Sequence, residues 1–105
     1  MLLLTNKVQS GWCVVGARGR ADAESADELE SALRAALAGH SKVAADLSGL
    51  SYISSAGLRA LLEAARAASE KGAEFAVCSL SDPVKRVFDM SGMHHFLQIH
   101  GELPC

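Results

Sequence analysis

The chain has 105 residues, half of them in the hydrophobic set and 21% charged, with ten Lys and Arg against twelve Asp and Glu. At this length folding buries roughly 65% of the surface that the unfolded chain exposes, so a single domain over residues 1–105 with one core needs neither disulfide nor metal staple. The formal net charge of -2 removes the electrostatic ground for nucleic acid or an anionic membrane as the main partner.

Residues 2 to 8 read as extended, Gln9-Ser10-Gly11 as a turn, and Trp12 to Ala17 as a second strand, which makes a hairpin. The turn Gly19-Arg20-Ala21-Asp22 precedes a helix whose apolar face is Ala26, Leu29, Leu33, Ala36 and Leu37. Ser25 with Glu28 reads as its capping box, and Gly39 as its end. Val43 to Leu47 has the composition of a buried strand. A loop from Ser48 to Ser54 then enters a second helix with Leu58, Leu61, Leu62, Ala65 and Ala68 facing in and Gly72 as its stop. Phe75 to Cys78 is the next strand. Asp82 and Pro83 read as N-cap and first residue of a third helix, with Val84, Val87 and Phe88 inward and Gly92 near its end, and Phe96 to Ile99 as a last short strand.

Strands separated by single helices imply parallel pairing through right-handed crossovers, so the fold class is α/β, with a mostly parallel sheet and an antiparallel N-terminal strand. In that layout the helix starts share one rim of the sheet. Asp22 and Ser25, Ser54 and Ser55, and Ser81 and Asp82 are therefore expected side by side.

Cys13, Cys78 and Cys105 are an odd number and read as reduced thiols of a cytosolic protein. Aromatic residues are 5% of the chain, too few for a base-stacking platform. The apolar start Met1 to Leu4 is too short for a signal-peptide core, and no run of about 20 apolar residues occurs, so a cytoplasmic, non-membrane protein is expected.

The densest candidate for function is Leu50 to Arg59, a segment that enters the second helix through two consecutive serines. One serine can cap the helix while the other stays free on the rim. A free hydroxyl there is a good position for a phosphate, because the helix start tolerates an added charge of about -2. His94, His95 and His100 lack a second ligand pair at zinc spacing and read as surface residues. No G-x-S-x-G elbow, Walker A loop or G-x-G-x-x-G run is present, so no catalytic residue, metal or cofactor is assigned. Arg59, Arg66 and Lys71 follow on the exposed side of the second helix.

Asp46 to Arg59, D-L-S-G-L-S-Y-I-S-S-A-G-L-R, resembles the phosphorylation segment of the STAS domains of bacterial anti-sigma factor antagonists. Asp82 to Met93 resembles a later helix of that family, and Gly19 to Asp22 its G-x-x-D turn. The resemblance implies a STAS-like fold of three helices with the C-terminal helix short or absent, and a binding module that is not an enzyme. It places phosphorylation on Ser55, with Ser54 as a competing site, and partner contacts on Asp22, Ser25, Ser54, Ser55, Gly57 and Arg59. The implied partners are an anti-sigma factor with serine kinase activity and a serine phosphatase. The unphosphorylated antagonist binds the first and so releases a sigma factor. Ser54 stands where many members have Asp, and Ala56 where they have a second serine. The chain is expected as a monomer or a weak dimer, since an exposed early strand offers an edge. A competing reading is a STAS structural subunit of a transport complex without phosphorylation; a hydrolase using Ser55 lacks a base.

Overall fold

Ser10 and Gly11 both adopt positive φ, 52° and 84°, as the two central residues of a type I′ hairpin loop do, and the twist of that loop matches the strands it joins. In the computed structural model, which describes residues 1–101, this turn links β1 (Leu2–Gln9) to β2 (Trp12–Ala21) in antiparallel register, Gln9 opposite Trp12. There follow α1 (Ala26–Gly39), β3 (Lys42–Ile53), α2 (Ser55–Lys71), β4 (Glu74–Cys78), α3 (Asp82–Ser91), a 3-10 turn at Met93–His95 and β5 (Gln98–His100). The sheet order is β1-β2-β3-β4-β5, and every pair after the first is parallel. This is the expected mixed α/β layout with an antiparallel N-terminal strand. Cys105 and the expectation of a short or missing C-terminal helix lie outside the described residues.

The main core lies between the sheet and the helices. Leu29, Leu33 and Leu37 of α1 project into it at helical spacing and meet Val15, Val43, Leu47 and Leu61. On α2 the innermost residues are Gly57, Ala60, Leu61, Ala64 and Ala68, whereas Leu58, Leu62 and Ala65 are half-buried at its flank. The expected face is thus rotated. Small residues let the helix approach closely, and the bulkier leucines pack at the margin of the seam.

Two strands are longer than expected. β2 runs through Gly19 to Ala21, and β3 runs through Ser48 to Ile53, the stretch read as a loop. The register explains why. Gly16 pairs with Asp46 but Arg18 with Gly49, and Gly19 with Leu50 but Arg20 with Tyr52, so β3 carries two extra residues as bulges. Its buried positions Leu47, Leu50 and Ile53 then recur every third residue, which a period of two does not detect. The last strand starts at Gln98, because the 3-10 turn at Met93–His95 leaves Phe96 exposed outside it.

Trp12, Val14, Ala44, Ala76 and Cys78 form a smaller cluster on the other face of the sheet. The His100 ring stands edge-on to Trp12 with centroids 6.4 Å apart, and Lys42 Nζ lies 5.6 Å from the Trp12 ring. Burial pushes the Cys78 thiol up to about 11, helped by the charge of Asp46 and opposed by a hydrogen bond with Ser79. Peptide-resolved alkylation at pH 8 should therefore modify Cys78 roughly 100-fold more slowly in the native chain than in denaturant, from thiolate fraction alone.

Candidate functional site

The ends of β2 and β3 meet at Ala21 and Ile53, which pair, and the Ser54 N–H donates to the Ala21 carbonyl at 2.8 Å. That bond sets the turn after β2 beside the start of α2. Ser54 is extended (φ -88°, ψ 172°), and its Oγ accepts from the Gly57 N–H at 3.1 Å, so it is the helix cap. It is half-buried. Ser55, the first helical residue, is exposed. Ser54→Ala should cost about 1 kcal/mol of stability, read from the urea midpoint at unchanged slope.

Gly57 is buried beneath this turn. A Cβ there would stand 2.8 Å from Ile53 Cγ1 and 3.0 Å from the Ala21 carbonyl oxygen, so glycine allows the first turn of α2 to sit on both strand ends.

Asp22 and Ser25 lock the neighbouring turn. One Asp22 carboxylate oxygen accepts from the backbone N–H of Glu24 (3.1 Å) and of Ser25 (3.0 Å), and it lies 2.9 Å from the Ser25 hydroxyl. The Ser25 Oγ also accepts from the Asp22 N–H at 3.0 Å and lies 3.0 Å from the Arg20 carbonyl. The expected Ser25–Glu28 capping box is therefore absent. Ser25 has helical dihedrals, and its hydroxyl turns back onto the preceding turn instead of capping α1. Hydrogen bonds from Ser25, the hydroxyl first and the backbone N–H second, hold the Asp22 carboxyl below its ordinary 3.8. A depressed folded value means that the turn's contribution to stability is present above the unfolded value and is lost as pH falls through the folded one. Ser25→Ala should move the Asp22 titration back up toward 3.8, as its carboxyl carbon shift would report.

The third helix start is placed differently from expectation. Ser81 is the cap residue and Asp82 lies in the first turn of α3, exposed. The Ser81 hydroxyl donates to the Leu50 carbonyl, and its oxygen accepts no N–H of its own helix. β4 ends at Cys78, opposite Asp46, while β3 continues to Ile53. The rim is thus stepped: Asp22 and Ser25 adjoin Ser54 and Ser55, whereas Ser81 docks lower, on Leu50.

Of the expected partner-contact residues, Ser55 and Arg59 are exposed, Asp22 and Ser54 are half-buried, and Ser25 and Gly57 are buried, so the last two shape the rim from beneath. One exposed pair was not found from sequence. Arg20 lies over the Tyr52 ring, 4.3 Å from its centroid. The two are brought opposite each other by the β3 bulge, and no local pattern announces it. The exposed rings of His94 and His95 lie against each other, tilted by 41°, with centroids 4.2 Å apart. Among the described residues no group of three His, Cys, Asp or Glu could hold a metal ion, and no helix is long and apolar enough to cross a membrane.

Residues 6–99 match the family profile described as Mlab, STAS domain. The chain belongs to the STAS-domain anti-sigma factor antagonist family. This STAS domain is 36% identical over 93 residues to BtrV of Bordetella bronchiseptica, which bears the name of an anti-sigma factor antagonist; the match covers 88% of this chain and 79% of BtrV. An anti-sigma F factor antagonist of Paenibacillus polymyxa is 29% identical over 94 residues, 86% of this chain and 79% of that protein. Among solved structures, an anti-sigma factor antagonist of Thermotoga maritima superimposes with a TM-score of 0.85 at 19% identity, over 95% of this chain and 87% of that one. The phosphorylated form of the Bacillus cell fate determinant SpoIIAA gives 0.70 at 16% identity, over 95% and 93%. A sulfate transporter family protein of Wolinella succinogenes gives 0.75 at 16% identity, over 92% and 82%. At these identities the structural likenesses show the STAS fold.

Proposed function

We propose that this STAS domain is a cytoplasmic anti-sigma factor antagonist whose binding is switched by phosphorylation of Ser55. The observation that carries the reading is the division of labour between the two serines: Ser54 holds the cap and is half-buried, while Ser55 stands exposed beside it. An exposed hydroxyl can enter a kinase site without unwinding α2. The names of BtrV and of the Paenibacillus protein support the antagonist role, and the phosphorylated SpoIIAA supports the modification.

The partner is an anti-sigma factor that is also a serine kinase. Its chemistry balances simply: Ser55 Oγ forms a bond to the γ-phosphorus of ATP, the bond to the ADP oxygen breaks, and the hydroxyl proton passes to a base on the kinase. A separate serine phosphatase hydrolyses the ester with water and returns the hydroxyl and phosphate. The unmodified chain binds the anti-sigma factor through Asp22, Ser54, Ser55 and Arg59, with Ser25 and Gly57 holding their geometry, and a sigma factor is released. A phosphate of about -2 on Ser55, next to the turn that carries Asp22, opposes that docking through repulsion and desolvation. The chain itself is a binding module, not a catalyst.

A second reading, a STAS subunit of a transport complex without phosphorylation, has the Wolinella transporter-family neighbour in its favour. Affinity capture on the unmodified chain separates the two. The first reading expects a small ATP-binding protein that phosphorylates the bait at Ser55; transporter subunits with no such kinase would overturn it.

A further inference from the structure

The α1–α2 surface carries three arginines, and two are engaged. Arg34 pairs with Glu30 at 3.0 Å and with Glu63 at 3.9 Å, and Arg66 pairs with Glu63 at 3.6 Å. Arg59 lines the same groove, with Glu30, Leu62, Glu63 and Arg66, yet makes no ion pair among the described residues. The acid one turn after it on α2 is Glu63. That order, base before acid along the helix, is the weaker one, and Glu63 already serves two other arginines.

One turn before Arg59 stands Ser55. Both residues are exposed, and at i and i+4 they share a face of α2. Long helical side chains tend to lean toward the N-terminus, so the turn that carries Ser55 lies within reach of Arg59. An anion at 55 followed by a cation at 59 has the favourable order for such a pair.

We propose that Arg59 is the built-in counter-ion of a phosphate on Ser55, an arginine left without a carboxylate so that it pairs within α2 when that phosphate arrives. The inference rests on Ser55 as the acceptor and adds a second half to the switch. Phosphorylation then brings a dianion to the rim and at the same time withdraws an exposed arginine from the partner. Arg59 is a positioning residue for the phosphate and takes no part in its transfer.

The test uses the full chain with phosphoserine genetically installed at position 55, so that it does not depend on any kinase. The second ionisation of the phosphate is followed by phosphorus NMR in the parent chain and in Arg59→Lys and Arg59→Gln variants. Asp22 and Glu24 on the turn after β2, Glu28 on α1, and the Glu30, Glu63 and Arg66 of the groove act on all three chains alike, so the difference isolates position 59. The expected midpoint is lower by roughly 0.2–0.4 pH unit in the parent than in Arg59→Gln, with Arg59→Lys between, and the difference shrinks in 1 M salt. Equal midpoints in the parent and Arg59→Gln chains would overturn the proposal. Failure of the cognate kinase to modify Ser55 would instead remove the reading of Ser55, and the two failures are read from separate experiments.

Discussion

Ser55→Ala should abolish phosphate incorporation by the cognate kinase, while Ser54→Ala leaves the stoichiometry at one phosphate per chain. The asymmetry follows from the cap. Ser54 accepts the Gly57 N–H, and its backbone N–H is tied to the Ala21 carbonyl, so presenting its hydroxyl to a kinase requires unwinding the first turn of α2. Ser55 has no such task, and alanine at that position is a good helix former, so the variant should fold as the parent does. Intact-mass measurement after incubation with kinase and ATP gives the stoichiometry, and a urea midpoint on each variant shows that the fold is kept. A Ser55→Ala chain that still takes one phosphate to completion would place the acceptor elsewhere and dissolve the proposed switch.

Gly57→Val should be the most damaging single change at the rim. Two effects oppose each other. Replacing glycine inside a helix gains up to about 1 kcal/mol from backbone entropy, less for a β-branched residue. Overpacking costs roughly 1–3 kcal/mol. At Gly57 the second wins, because one of the two near atoms is the Ala21 carbonyl oxygen, a backbone atom held by its bond to Ser54. The net expectation is a loss of about 1–3 kcal/mol, together with displacement of the α2 start. Gly39 at the end of α1 is the control: a Cβ there meets nothing within 4 Å and its φ is ordinary, so Gly39→Ala should be neutral or stabilising. Equal midpoints for Gly57→Val and Gly39→Ala would contradict the close docking of α2 on the strand ends.

Much of this arrangement was legible in the sequence, for reasons that can be named. Leu29, Leu33 and Leu37 announce α1 through their spacing, Ser10-Gly11 announces the hairpin, and Gly72 and Gly92 stop their helices in the left-handed conformation expected of them. The paired serines marked the site. What was illegible depended on contacts between distant segments. The β3 bulges convert Ser48 to Ile53 from apparent loop to strand, and they exist only because β2 extends alongside. Ser25 fits a capping box by its spacing to Glu28, but Asp22 and the Arg20 carbonyl compete for its hydroxyl and win. Ser81 and not Asp82 holds the cap position of α3, and its hydroxyl is given to the Leu50 carbonyl across the fold instead of to capping. The Arg20–Tyr52 contact and the Trp12–His100 pair likewise join residues that no local pattern connects.

The central claim is that one phosphate on Ser55 turns a binding surface off. The most direct measurement is the dissociation constant of the purified anti-sigma factor for the unmodified chain and for the chain carrying phosphoserine at 55, at the same salt. The account predicts at least a tenfold weakening, about 1.4 kcal/mol or more, from a dianion set at the docking rim next to the turn that carries Asp22. Equal affinities for the two forms would contradict it.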